Sequence, residues 1–152
     1  MSKNSPSLII PGLGGLYDSL KPLSYPVLRF VSGIILSAHG AQKILGWWGG
    51  NIEGTAGFFN KIGLVPGLPL AYLVGCVELF GGLAIAIGLL TRPAAVLAAI
   101  VLYVAAFKVH SGAFFWGGRG LEYPLLWAVL MTYIAIRGGG KMSADNSIGK
   151  EF

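Results

Sequence analysis

Cysteine, histidine and charge are all scarce in this chain of 152 residues, which holds one Cys, two His and six Asp plus Glu. A lone thiol, Cys76, excludes an internal disulfide and every CxxC-type redox or metal site. Set among apolar neighbours, it reads as inert packing. Charged residues make up 11% of the chain against 55% hydrophobic ones, and the mean hydropathy is +0.72. That balance departs from the composition of a soluble domain and points to a protein embedded in lipid. No basic run is interleaved with aromatics, which argues against nucleic acid; the net charge of +5 suits contact with anionic lipid instead. The carboxylate-plus-ExxH pattern of di-metal bundles is absent, as is any dinucleotide-binding or phosphate-binding glycine motif in a strand-to-helix setting. No spacing motif supports haem between His39 and His110, whose expected depths differ by about half a membrane. The chain shows no metal site and no self-contained redox centre.

What the chain does have is apolar length. A helix needs about 20 apolar residues to cross a bilayer. Segments approaching that length run from Pro26 to Trp48, Leu68 to Leu90, Pro93 to Val109 and Leu121 to Ile136. A soluble bundle would need polar stripes at a period of about 3.6, and Ala94 to Ala106 has none. The expected fold is therefore all-α: an integral membrane four-helix bundle, with residues 1–25 as an N-terminal arm, 26–137 as the transmembrane domain and 138–152 as a tail. Lys3, Lys21, Arg29, Arg92, Arg137, Lys141 and Lys150 fall on the terminal side, and Lys43, Lys61, Lys108 and Arg119 on the other. This excess places both termini, arm and tail included, in the cytoplasm. The first twenty-five or so residues lack a basic region leading into an apolar signal-type core and read as a retained, partly ordered arm.

Glycines fall into two populations. Gly33, Gly40, Gly75, Gly81, Gly82 and Gly88 lie inside the apolar segments, where small residues let helices approach closely in lipid. These faces serve internal packing or a homo-oligomer equally well. Gly46, Gly49, Gly50, Gly54, Gly57, Gly63 and Gly67 crowd the first connection and Gly112, Gly117, Gly118 and Gly120 the third, together with Trp47, Trp48, Phe58, Phe59, Phe114, Phe115 and Trp116, a composition suited to loops folded onto the membrane surface. The Leu90–Pro93 connection is minimal, so the second and third segments form a tight antiparallel hairpin. The non-cytoplasmic face is thus the elaborated one.

Candidate chemistry gathers on that side. Glu78 stands near the middle of an apolar run with no other charge, which is costly without a partner or a purpose. His39, Gln42 and Lys43, spaced i, i+3 and i+4, share one helix face. Counting the helical rise places Glu78 about 15 Å deep, close to the depth of His39. Lys108, His110 and Glu122 approach the same half from the later segments. Each has a plainer reading: Glu78 in a structural ion pair with Lys43 or Arg29, His39 as a helix-to-helix hydrogen bond, His110 as an interfacial residue, Glu122 as a helix-start carboxylate and Trp47 as an interface anchor.

Arg29, the run His39-Gly40-Ala41-Gln42-Lys43 with Gly46, the run Glu78-Leu79-Phe80-Gly81-Gly82 with Gly88, and Thr91-Arg92-Pro93 together resemble the DoxX family of small four-helix membrane proteins. Glu122-Tyr123-Pro124, and Gly138-Gly139-Gly140 before Ser143-Ala144-Asp145, fit as well, so the resemblance spans about Pro26 to Asp145. It implies a bacterial or archaeal inner-membrane protein linked to thiosulfate:quinone oxidoreduction or related redox assemblies. On that expectation Glu78, His39 and Lys43 form the catalytic group and Gln42, Trp47, Glu122 and His110 the quinone-binding set. Quinone would be a substrate, and electrons would come from a redox partner protein, a larger complex or a small reductant such as thiosulfate. The rival expectation is a non-catalytic anchor of a redox complex whose buried charges only lock the bundle. A small-solute transporter is disfavoured, because four helices enclose a narrow pore and the cytoplasmic half lacks a matching polar path.

Overall fold

A computed structural model describes residues 7–151, all of whose regular structure is helical. The helices are α1 (Gly14–Ile44), α2 (Ile52–Lys61), α3 (Gly67–Ile87), α4 (Thr91–Val109), α5 (Glu122–Arg137) and α6 (Ala144–Ser147). Two of them, α3 and α4, are long and apolar enough to cross a bilayer. Each also widens into a π-helical turn, at Val77–Gly81 in α3 and at Ala105–Val109 in α4.

The interior is small and the exterior is bulky. Ala94, Ala95, Ala98, Ala99 and Ala128 are buried with Leu36, Ile85, Met131 and Ile134, while Phe30, Ile34, Phe80, Leu97, Ile100, Phe107, Leu126 and Ile136 point outward. Water would penalise that inversion, whereas lipid removes the reason to hide large apolar side chains. Tyr25 and Leu36 of α1, Ile85 of α3, the α4 alanines, and Met131 and Ile134 of α5 build one shared core. Glycine permits the closest approach: a Cβ on Gly33 would strike the backbone of Gly82 and Ala86, and one on Gly40 the backbone of Leu79.

The first helix differs most from expectation. It starts at Gly14, so part of the expected arm 1–25 is helical; the arm's first six residues lie outside the described ones. Pro22 and Pro26 sit inside α1 without ending it. The carbonyl that Pro22 leaves unbonded, on Asp18, is exposed, so water can satisfy it. At the other end Gly46, at φ 71°, turns the chain, and the helix stops at Ile44 rather than reaching Trp48. Gly75 faces Ile44 and Lys43, so α1 ends near mid-height of α3 and leaves the first turns of α3, about 12 Å, standing above it. Helix α2 fills that height. Asn51 Oδ1 accepts the Gly54 N–H at 2.5 Å to cap it, and Ile52, Ala56 and Phe59 bury against Ala71, Leu70 and Val74.

The opposite end is closed by the tail. Leu90 adopts a left-handed conformation at φ 49°, which lets α3 turn directly into α4. The Asp145 carboxylate accepts the Leu90 N–H (2.8 Å), the Thr91 N–H (3.0 Å) and the Thr91 hydroxyl (2.7 Å), capping α4 from a distant part of the chain. Burial pushes the Asp145 carboxyl upward, but the Thr91 and Leu90 hydrogen bonds and nearby Arg29 outweigh it and hold the group below the ordinary carboxylate value. Arg29 donates to the carbonyls of Ile85 (2.5 Å), Ala86 (2.9 Å) and Met142 (2.7 Å), and the Tyr25 hydroxyl donates to Gly138 O. Residues 138–151 are thus part of the folded body.

Candidate functional site

Helix α1 brings His39 and Lys43 to its last turns, and α3 brings Glu78 to face them inside its π turn. Glycine at position 40 sets α1 directly against the Leu79 backbone, which puts the Lys43 ammonium within reach of the carboxylate. Lys43 Nζ donates to Glu78 Oε2 at 2.6 Å and more weakly to the His39 carbonyl at 3.4 Å. The wide turn is braced from α1, because the Ser37 hydroxyl donates to the Leu79 carbonyl at 3.0 Å. Such turns recur at functional sites, where they re-aim one side chain without breaking the helix. Glu78 is 8% exposed, so its charge depends on Lys43 for compensation.

The Arg29–Glu78 pair expected from the sequence is not formed. Arg29 lies about 10 Å away along α3, beside Ile85 and Ala86, where carbonyls occupy its terminal nitrogens. Lys43, the other candidate partner, holds Glu78.

Beside this pair lies a cavity of about 750 Å³. Leu36, Phe58, Phe59, Leu70, Val74, Val101 and Trp127 give it an apolar wall, and His39, Lys43, Glu78, Asn51, Thr55 and His110 contribute polar groups. That size and character suit a small organic ligand held by shape and oriented by a few polar contacts. His110 lines the same cavity as His39. Its Nδ1–H donates to the Arg119 carbonyl at 2.7 Å, which leaves Nε2 as the free ring nitrogen.

Gln42, Trp47 and Glu122 are not among the residues lining the cavity. Gln42 packs against Gly50, where any Cβ would collide with it. Trp47 is exposed and meets Trp48 edge-to-face at 5.5 Å. The Glu122 carboxylate accepts the Trp116 N–H at 2.6 Å, and Trp116 in turn lies 4.9 Å from Tyr123 and 5.5 Å from His110, so Glu122 organises one wall. Sequence reasoning missed the α2 contribution, Asn51, Thr55, Phe58 and Phe59. The available signal was a capping Asn51 before Ile52, Ala56 and Phe59 at i, i+4 and i+7. Among the described residues no cluster of three or more His, Cys, Asp or Glu is placed to hold a metal ion.

The DoxX family model matches residues 25–111. A Bacillus subtilis (strain 168) protein named "Putative oxidoreductase CatD" is 36% identical over 124 residues, covering 82% of this chain and 86% of the relative. An uncharacterized protein of Haemophilus influenzae is 28% identical over 138 residues, covering 88% of this chain and 97% of the relative. No solved structure matches. The matched region holds Arg29, His39, Lys43, Glu78 and His110, and with it the hairpin turn and most of the cavity wall; this chain belongs to the DoxX family.

Proposed function

We propose that this protein is the membrane subunit of a quinone-coupled oxidoreductase, crossing the bilayer with α1, α3, α4 and α5. Family membership and the oxidoreductase name of the Bacillus relative support a membrane role associated with oxidoreduction. The observation that carries the finer reading is the position of the Lys43–Glu78 pair. An ion pair kept only to lock helices would be packed on every side, whereas this one borders an apolar cavity.

A quinone needs donors on its carbonyl oxygens and a supply of protons as electrons arrive. Lys43 has ammonium hydrogens beyond the one given to Glu78, and the His39 ring lines the same wall. Both can donate to a carbonyl oxygen, and the Glu78 carboxylate, 2.6 Å from Lys43 Nζ, favours reprotonation of the lysine from water after it has given a proton to the reduced quinone. Aromatic and aliphatic walls hold the ring. Electrons come from a partner protein or a small sulfur reductant such as thiosulfate, and the tail-bearing end is cytoplasmic.

The test is quinone content and quinone-linked turnover of the complex extracted gently from its own membrane. Glu78→Gln and His39→Ala are expected to reduce both, and intact activity in both variants would sink the assignment. The accessory-anchor reading draws on a different feature, the exposed Trp47, Trp48, Phe114 and Phe115 at the α2 end. It requires that substitutions there release a partner while Glu78 variants harm folding and assembly together.

A further inference from the structure

Resting on that reading of the site, we infer that the cavity is loaded from the lipid, through a lateral portal between α1 on one side and α4 with the start of α5 on the other. Its ligand is therefore a bilayer-dissolved amphiphile whose apolar tail stays in the portal.

The portal shows in which lining residues remain uncovered. Ile35 of α1, Ile100 and Val104 of α4 and Tyr123 of α5 line the cavity and are 37%, 55%, 40% and 39% exposed, and Phe58 of α2, Leu73 of α3 and Trp116 are uncovered as well. Ile35, Ile100 and Val104 project from the sides of long helices and Tyr123 from the first turn of α5, so the gap between these helices faces sideways. Its rim is almost wholly apolar, which a water-filled mouth would not favour and a hydrocarbon tail would. At the Tyr25 end α1 and α5 are tied together, with Tyr25 6.0 Å from Tyr133 and bonded to Gly138 O. Both helices also contribute lining residues to the cavity. Helix α2 covers the top, where Phe59 is 8% exposed and Asn60 Oδ1 accepts the Gly67 N–H at 2.8 Å to hold the lid. A ligand arriving sideways thus meets an apolar slot first and the Lys43, His39 and Glu78 group last.

The experiment uses the full chain in lipid nanodiscs and two probes with the same head, a long-chain benzoquinone dissolved in the bilayer and its tail-less parent ring added from water. The variants Ile35→Trp and Ile100→Trp fill the mouth, and Ile35→Ala with Ile100→Ala opens it; both positions lie at the surface, where folding tolerates the change. Mouth-filling is expected to weaken long-chain binding about tenfold while the tail-less ring changes little, and mouth-opening to speed long-chain uptake. Equal effects on both probes, or none on either, would overturn the portal while leaving the quinone site standing. Failure of the unaltered protein to bind either probe would instead remove the quinone reading itself, and the portal with it.

Discussion

Replacing Asp145 with alanine is expected to destabilise the protein by about 3 kcal/mol, although the residue is remote from the cavity. The Asp145 carboxylate accepts three hydrogen bonds at the start of α4, and Thr91 is fully buried, so its N–H and hydroxyl would lose their partner without gaining water. Each orphaned buried donor costs about 1–3 kcal/mol, and losing a negative charge at a helix N-terminus adds about 0.5 kcal/mol. The Leu90 N–H counts for less because Leu90 is 44% exposed and water can replace the carboxylate. Asp145→Asn keeps one acceptor but brings an amide against a donor, so it should fall between alanine and the native residue. Denaturant unfolding in mild detergent, followed by tryptophan fluorescence, measures the difference. A loss below about 1 kcal/mol for alanine would refute the argument, since it would mean the Thr91 donors find another partner at no cost.

The same carboxylate gives a pH signature. Its folded pKa is depressed, so its stabilisation is complete above the ordinary value of about 3.9 and is lost as pH falls through the lower folded value. Unfolding curves of native protein and Asp145→Asn should therefore converge on acidification and separate near neutrality. Lys43→Met alone leaves Glu78 unpaired and is expected to cost about 3–5 kcal/mol, whereas Lys43→Met with Glu78→Leu should recover most of that stability; both unfolding and bound quinone should be measured, because the double variant is expected to fold yet stay empty. Gly40→Ala forces a methyl into the Leu79 backbone and should cost about 2 kcal/mol or more, read as lost yield and a lowered Tm. Gly57→Ala, where open space surrounds the position, is the control that should fold normally.

How far the sequence reached depended on which signal each segment carried. Hydropathy placed α3, α4 and α5 within a few residues, since Leu68, Pro93 and Leu121 lie next to or inside the observed starts Gly67, Thr91 and Glu122. It missed the first turns of α1, where the stretch before Pro26 lacked a long apolar run and read as an arm, and Pro22 lies inside the helix without ending it. Helix α2 was hidden by glycine at positions 54 and 57, which made a capped amphipathic helix look like loop. Face-sharing correctly joined His39 to Lys43, but which cation would meet Glu78 depended on the relative height of two helices. That height follows from Gly40 and Gly75 abutting Leu79 and Ile44, a three-dimensional register that linear spacing does not encode. The tail was read as an appendage because its apolar content is low; its attachment runs through backbone carbonyls and one carboxylate, which leave no hydropathy trace.

That attachment also sets an order of assembly. The α3–α4 hairpin is made well before residues 138–151, so α4 first forms with the buried donors of Thr91 still unclaimed. The cap forms only once Asp145 has been made and has folded back onto Leu90 and Thr91. The hairpin turn is thus completed by a residue made more than fifty positions later, and anything that holds Asp145 away from Leu90 and Thr91 would leave the start of α4 uncapped.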